Sequence, residues 1–289
     1  MKPTRVLAYA AFFLFSFIIG IYLTFPWDMA KDRVLELATK QAGTRIWAAK
    51  LEPSWFTGVE AEGLEIGAKN DAIKIERIRA RVGLLALITG KQAFSAWMPL
   101  GGGDVDAKVK LSEDVVDLEA HLKGVQLDKA PIVLEQSGLP LMGKVDLDLD
   151  LKLGKKDPKA TAGKLSLRTT GLSIDKGGKM GMIPVPNLEL GDLKLEVPIA
   201  DGKADFKNVR LPGTDLEVAV DGNMVILWPL ARTTLNMTLG LKPTEKLLGS
   251  DPLLRPILKN FEYAKDAEGF YGVGLTGSIQ HPRPTPRRR

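Results

Sequence analysis

Lys144-Val-Asp-Leu-Asp-Leu-Asp-Leu-Lys-Leu153 decides the fold. Val145, Leu147, Leu149, Leu151 and Leu153 alternate with Lys144, Asp146, Asp148, Asp150 and Lys152. In an extended chain successive side chains point to opposite faces, so this string sorts into one dry side and one wet side. A helix would scatter the same charges around its whole circumference.

The same period of two runs outward in both directions. Before it come Ile73 and Ile75, then Ile78, Ala80 and Val82 after a phase slip at Glu76-Arg77 that predicts a β-bulge. Val105 to Leu111 and Val116 to Leu122 alternate in the same way. After it come Leu165 and Leu167, then Leu193, Leu195, Val197 and Ile199, then Leu216, Val218 and Val220. Leu235, Met237, Leu239 and Leu241 follow, and Tyr271, Val273, Leu275 and Ile279 close the series. Recurrent segments of this kind predict a mainly β, antiparallel body with one apolar face. Val145, Leu147, Leu149, Leu151, Leu195, Val197, Val218, Val220, Leu235, Met237 and Leu239 are the candidate residues of that face. Periodicity leaves open whether they form a closed core or an apolar groove.

A few short helices are expected between the strands. Residues 29–43 carry an apolar stripe at helical spacing, Asp28 can cap them, and Gly43 can end them. Leu84 to Thr89 reads as a crossover turn, and Pro131 to Ser137 as a helix stopped by Gly138. Asp251 can cap a helix from Pro252 to about Phe261.

The N-terminus follows another rule. Val6 to Phe25 is a run of twenty residues without a charge. At about 1.5 Å per residue it covers roughly 30 Å, the hydrocarbon thickness of a bilayer. Its apolar members Val6, Leu7, Phe12, Phe13, Leu14, Phe15, Phe17, Ile18, Ile19, Ile21, Leu23 and Phe25 predict a membrane anchor. Lys2 and Arg5 precede the run and Asp28 follows it, which keeps the N-terminus on the cytoplasmic side. The run is longer than a signal-peptide core, and its exit, Leu23-Thr24-Phe25-Pro26-Trp27, is bulky where a peptidase needs small residues, so it is expected to stay uncleaved. The chain thus divides into a stub and anchor at 1–27, a β body at 28–280, and a basic tail at 281–289. Its alternate prolines predict a solvated, extended tail outside any sheet.

Composition narrows the function. The net charge of +5 lies in the ends: without Lys2, Arg5, Arg283, Arg287, Arg288 and Arg289 there remain 34 basic against 35 acidic residues. A near-neutral body is not a nucleic-acid surface. With no cysteine there is no thiolate metal site or thiol nucleophile. His121 and His281 are the only imidazoles and are expected to be solvated rather than a metal pair. Gly83 to Lys91 departs from a phosphate loop in glycine spacing and lacks Ser or Thr after the lysine. Asp146, Asp148 and Asp150 on one strand face lack the curved oxygen cage calcium requires, and read as a solvated face. No serine has a plausible histidine base and no close carboxylate pair is evident, so no catalytic site, cofactor or metal is expected.

Several segments together carry a family likeness: Leu51-Glu-Pro-Ser-Trp-Phe-Thr-Gly58, Val59-Glu-Ala-Glu-Gly-Leu-Glu-Ile66, Arg79-Ala-Arg-Val-Gly-Leu-Leu-Ala-Leu-Ile-Thr-Gly-Lys91, and Gly269-Phe-Tyr-Gly-Val-Gly-Leu-Thr-Gly-Ser-Ile-Gln-His-Pro282. With the anchor and short helix before them, they resemble the type II secretion system protein N (GspN) family in its form with an AsmA-like body. The resemblance covers most of the chain and carries no catalytic residues. It implies an elongated, curved sheet in the periplasm, tethered by one span to the bacterial inner membrane. Its implied partners are other secretion subunits and inner-membrane lipid, and its implied role is scaffolding or assembly. The AsmA-like form also implies an alternative, an apolar groove for phospholipid acyl chains. About 230 residues of sheet give some fourteen strands and roughly 60–70 Å at about 4.8 Å per strand, short for a bridge between two membranes.

Overall fold

The computed structural model describes residues 31–33, 35–36, 39–40, 45–54, 58–67, 73–83, 92–130, 133–134, 138–175, 179–180, 183–184, 186–250, 254–279 and 281–289. The anchor run Val6 to Phe25 and the turn Leu84 to Thr89 lie outside them. No helix among the described residues is long and apolar enough to cross a membrane.

The first eight strands are β1 (Ile46–Ser54), β2 (Gly58–Ile66), β3 (Ile73–Val82), β4 (Gln92–Leu100), β5 (Gly103–Leu111), β6 (Val115–Gln126), β7 (Leu141–Gly154) and β8 (Ala162–Ile174). Two-residue strands β9 (Lys179–Met180) and β10 (Ile183–Pro184) pair with each other outside the main sheet. Then come β11 (Leu188–Ala200), β12 (Lys203–Pro212), β13 (Leu216–Val225), β14 (Thr234–Pro243), β15 (Tyr271–Ser278) and β16 (His281–Pro286). Fourteen strands form one antiparallel sheet in which sequence order is spatial order, with β8 beside β11. Short connections permit this meander, because antiparallel neighbours need only a turn between them.

The phase slip in β3 is present, but the β-bulge expected at Glu76-Arg77 is not: the pairing with β2 runs through it without a register shift. Ala48 pairs with Leu64 and Leu64 with Ile75, while Leu51 pairs with Ala61 and Ala61 with Ile78. All six pack in one apolar cluster with Leu35. The three strands slip at the same level, so each changes phase while the register between them stays constant.

Helices are few. Residues 31–33, 35–36 and 39–40 are helical, as are Val133 and Leu134. The helix expected over 252–261 is seen at Leu254–Lys259, and the alternation missed a helix before it, Glu245–Ser250. Thr244 caps that helix, its hydroxyl accepting from the Leu247 N–H.

One expectation is corrected outright. The tail does not stay outside the sheet: β16 pairs with β15 from Ser278 opposite His281 to Val273 opposite Pro286. Its alternate prolines allow this. The Arg287 N–H donates to the Gly272 carbonyl, so by alternation Arg283 and Thr285 also face β15. Pro282, Pro284 and Pro286 then occupy the outward positions, where an edge strand needs no donor.

Candidate functional site

The register gathers all eleven candidate residues on one face. Val145 pairs with Val125 and Thr169, Leu147 with Leu122 and Leu167, Leu149 with Ala120 and Leu165, and Leu151 with Leu118. Leu167 then faces Leu195 and Leu165 faces Val197. The row crosses to β12 through Ile199 and Ala204. Val218 and Val220 follow on β13, and Leu235, Met237 and Leu239 on β14.

Burial divides this face. Leu151 and Val197 are 3% and 1% exposed, whereas the other nine are half-buried. Side chains sealed between two layers would lose nearly all contact with water. Most of this face has no second layer. A cavity of about 370 Å³ opens on it, lined by Leu149 and Leu151 of β7, Phe206 of β12, Met224 of β13, and Leu230 and Ile279. β7 and β13, four places apart in the sheet, share this cavity, so the sheet curves around its apolar side at this end; a shallower hollow of about 510 Å³ lies on the polar side over β6, β7, β8 and β11. Leu230 and Ile279 are 37% and 48% exposed. At the opposite strand ends the helix Glu245–Ser250 closes the face, with Leu247 packed among Ile174, Leu188, Leu190 and Leu211. Lys246 of that helix ties it to Asp215 at 3.0 Å. Burial opposes ionisation of Asp215, but the Glu189 N–H and Lys246 outweigh it and hold the carboxyl below its usual range.

A repeated local device accompanies the curvature. Gly124, Gly171 and Asn208 have positive φ, and each N–H donates at 2.7 Å to an aspartate on the next strand: Asp146, Asp192 and Asp221 respectively. Register shifts flank Gly124 and Asn208. Such bulges bend and twist a sheet locally. Asp146, expected as part of a solvated row, is therefore a bulge ligand. Its neighbour Asp148 pairs with His121 Nδ1 at 2.7 Å. No group of three or more His, Asp or Glu suited to a metal occurs among the described residues.

The convex face is laced with cross-strand ion pairs, among them Arg79–Glu60, Lys108–Glu119 and Lys164–Glu196. Hydrogen bonds from Arg79 and Lys164 lower the pKa values of Glu60 and Glu196. Alternation gave no hint of one feature on this face. Phe270 is 1% exposed there, packed over Gly240, with Arg210, Lys242 and Arg289 above its ring at 4.8, 5.4 and 5.1 Å. The available signal was composition: Gly240, Gly272 and Gly274 are side-chain gaps on the polar face of β14 and β15, whose other positions on that face carry side chains.

Compared with protein-family models, curated proteins and solved structures, the chain has no significant match.

Proposed function

We propose that this chain is a component of the type II protein secretion system of the GspN kind. In this reading residues 6–25 hold it in the bacterial inner membrane, and its AsmA-like sheet stands in the periplasm. It acts there as scaffold or assembly factor, by contact rather than by catalysis. The observation that carries the reading is the unbroken fourteen-strand meander with one apolar face throughout, the architecture the resemblance implies. The test is to solubilise membranes of the encoding bacterium in mild detergent and isolate the full chain. Co-isolation with inner-membrane secretion subunits, and exoproteins stranded in the periplasm when the gene is deleted, are the expected results. Recovery of a soluble chain lacking residues 1–25, or normal secretion after deletion, overturns it.

The sheet edges are poorly suited to strand addition. On β1, Thr39 Oγ1 accepts from the Ile46 N–H and donates to its carbonyl, and Lys31 donates to the Ala49 carbonyl. On β16 the outward positions are prolines. Contact is therefore placed on the faces rather than the edges.

A second reading, that the concave face holds phospholipid acyl chains, is favoured by the half-open apolar row and the cavity between Leu149 and Ile279. Organic extraction of the purified full chain tests it. Phospholipid at about one per chain supports it, and a lipid-free, stable protein rejects it.

A further inference from the structure

Elsewhere on the convex face both charge signs share the strands, and several meet across them, but the C-terminal edge departs from this pattern. Neither Asp nor Glu occurs in β14, β15 or β16. On β16, Arg283 and Thr285 lie on the convex side, because their partners Thr276 and Gly274 stand opposite Asn236 and Thr238, which in turn face Asn223 and Asp221. Arg287, just past the strand and bonded to Gly272, continues this side, while Arg288 alternates to the other; all four residues are exposed. None of the three arginines has an ion pair or side-chain hydrogen bond among the described residues. The nearest carboxylates on β13 are already engaged: Glu217 with Lys242 and Asp221 with Asn208 and Arg289.

The edge is also held in place. Arg289 is drawn inward by Asp221, Asp266 and Glu268, and its side chain is 14% exposed. Glycines of β15 form the bed of the strand. A side chain at Gly274 would meet Arg287 Cδ and Thr285 Oγ1 at 3.2 Å, and one at Gly272 would strike the Arg287 carbonyl. One arginine anchors the strand while Arg283 and Arg287 are presented outward, their stems over glycine positions of β15.

We infer that this stripe, Arg283, Thr285 and Arg287, is a docking surface for an extended acidic segment of a partner protein. Arg283 and Arg287 stand about 13–14 Å apart along the strand, matching carboxylates four residues apart on a second extended chain. The guanidinium forks supply donors only and the hydroxyl between them can donate as well, so carboxylates are the complementary acceptors. An anionic membrane fits less well. Polybasic membrane recognition uses about four to eight clustered cations, and β16 carries no aromatic or aliphatic side chain to insert beyond its prolines. Prolines at the outward backbone positions direct the partner onto side chains rather than into the sheet. The choice of a protein partner rests on the scaffold reading above; the chemistry of the stripe does not.

The test uses the full chain in zwitterionic nanodiscs, titrated at low salt with a synthetic peptide bearing glutamate at every second position, against its glutamine counterpart. Selective binding of the glutamate peptide is expected, weakened at least about tenfold in the combined variant Arg283→Gln, Arg287→Gln. The thermal midpoint should not move, and Arg283→Gln alone gives an intermediate loss should the combined variant be less stable. Equal binding by wild type and variants overturns the proposal, as does absence of peptide binding. Binding to immobilised phosphatidylglycerol vesicles that the variants abolish, without peptide binding, assigns the stripe to membrane instead. Neither readout involves secretion, so this result is independent of the co-isolation test.

Discussion

Arg289 Nε lies 2.7 Å from Asp221 Oδ2, 68 residues earlier in the chain. The same aspartate accepts from the Asn208 N–H with its other oxygen. One carboxylate therefore fixes a bulge between β12 and β13 and pins the chain beyond β16. An edge strand has a neighbour on one side only, so this distant pair adds to the attachment its ladder with β15 provides.

Arg289→Ala should loosen that edge without unfolding the sheet. The expected cost is about 1 kcal/mol, as for a partly exposed, hydrogen-bonded ion pair. Amide exchange at Arg283, Thr285 and Arg287 should accelerate while the thermal midpoint barely changes. Undiminished protection of β16 would show that the pair is incidental.

Acid should release the same strand. Burial works against the charged form of Asp221, but the Asn208 N–H and the Arg289 guanidinium outweigh it, leaving the carboxyl below its usual range. A depressed folded value means stabilisation present above the unfolded value of about 3.9, lost as pH falls through the folded value. Protection of β16, corrected for intrinsic exchange, should hold from pH 7 to 5 and decline below about 4. Asp221→Asn should flatten that dependence.

Two substitutions on the apolar face of β7 should behave differently. Leu153 is 0% exposed, and Leu153→Ala should cost about 2–5 kcal/mol in denaturant unfolding. Leu149 is half-buried at the cavity wall, so Leu149→Asp should remain folded and lose affinity for a fluorescent fatty acid. Unfolding of Leu149→Asp would mean that this part of the face is packed core.

Replacing Pro282, Pro284 and Pro286 together with threonine should restore three outward N–H groups to the edge. Unprotected edges pair with one another. Light scattering should then detect concentration-dependent dimers or larger species where the wild type shows fewer, and an unchanged mass would assign the prolines another role.

Alternation along Lys144 to Leu153 and its relatives was enough to give the β class, an antiparallel sheet and membership of the apolar face, because a period of two admits a single sorting of side chains. It marked nine of the fourteen strands; the count of fourteen followed from the length of the body, while β1, β2, β4, β12 and β16 escaped the alternation and the meander order came from the structure. The tail was misread because proline denies donors on one side of a strand only, and which side faces the sheet depends on register. Glu245–Ser250 was missed because six residues hold too little periodicity, and its Leu247 is buried by contact with strands β8, β11 and β12 rather than by its own pattern.

The sequence by itself determined which side chains are dry, since that depends on neighbours one and two residues away. Tertiary structure alone decided that the dry face is concave and half-open, that Asp146, Asp192 and Asp221 serve bulges on adjacent strands, and that Arg289 leaves three other arginines unpaired. Each of these depends on residues brought together across strands, where curvature and register set the distances.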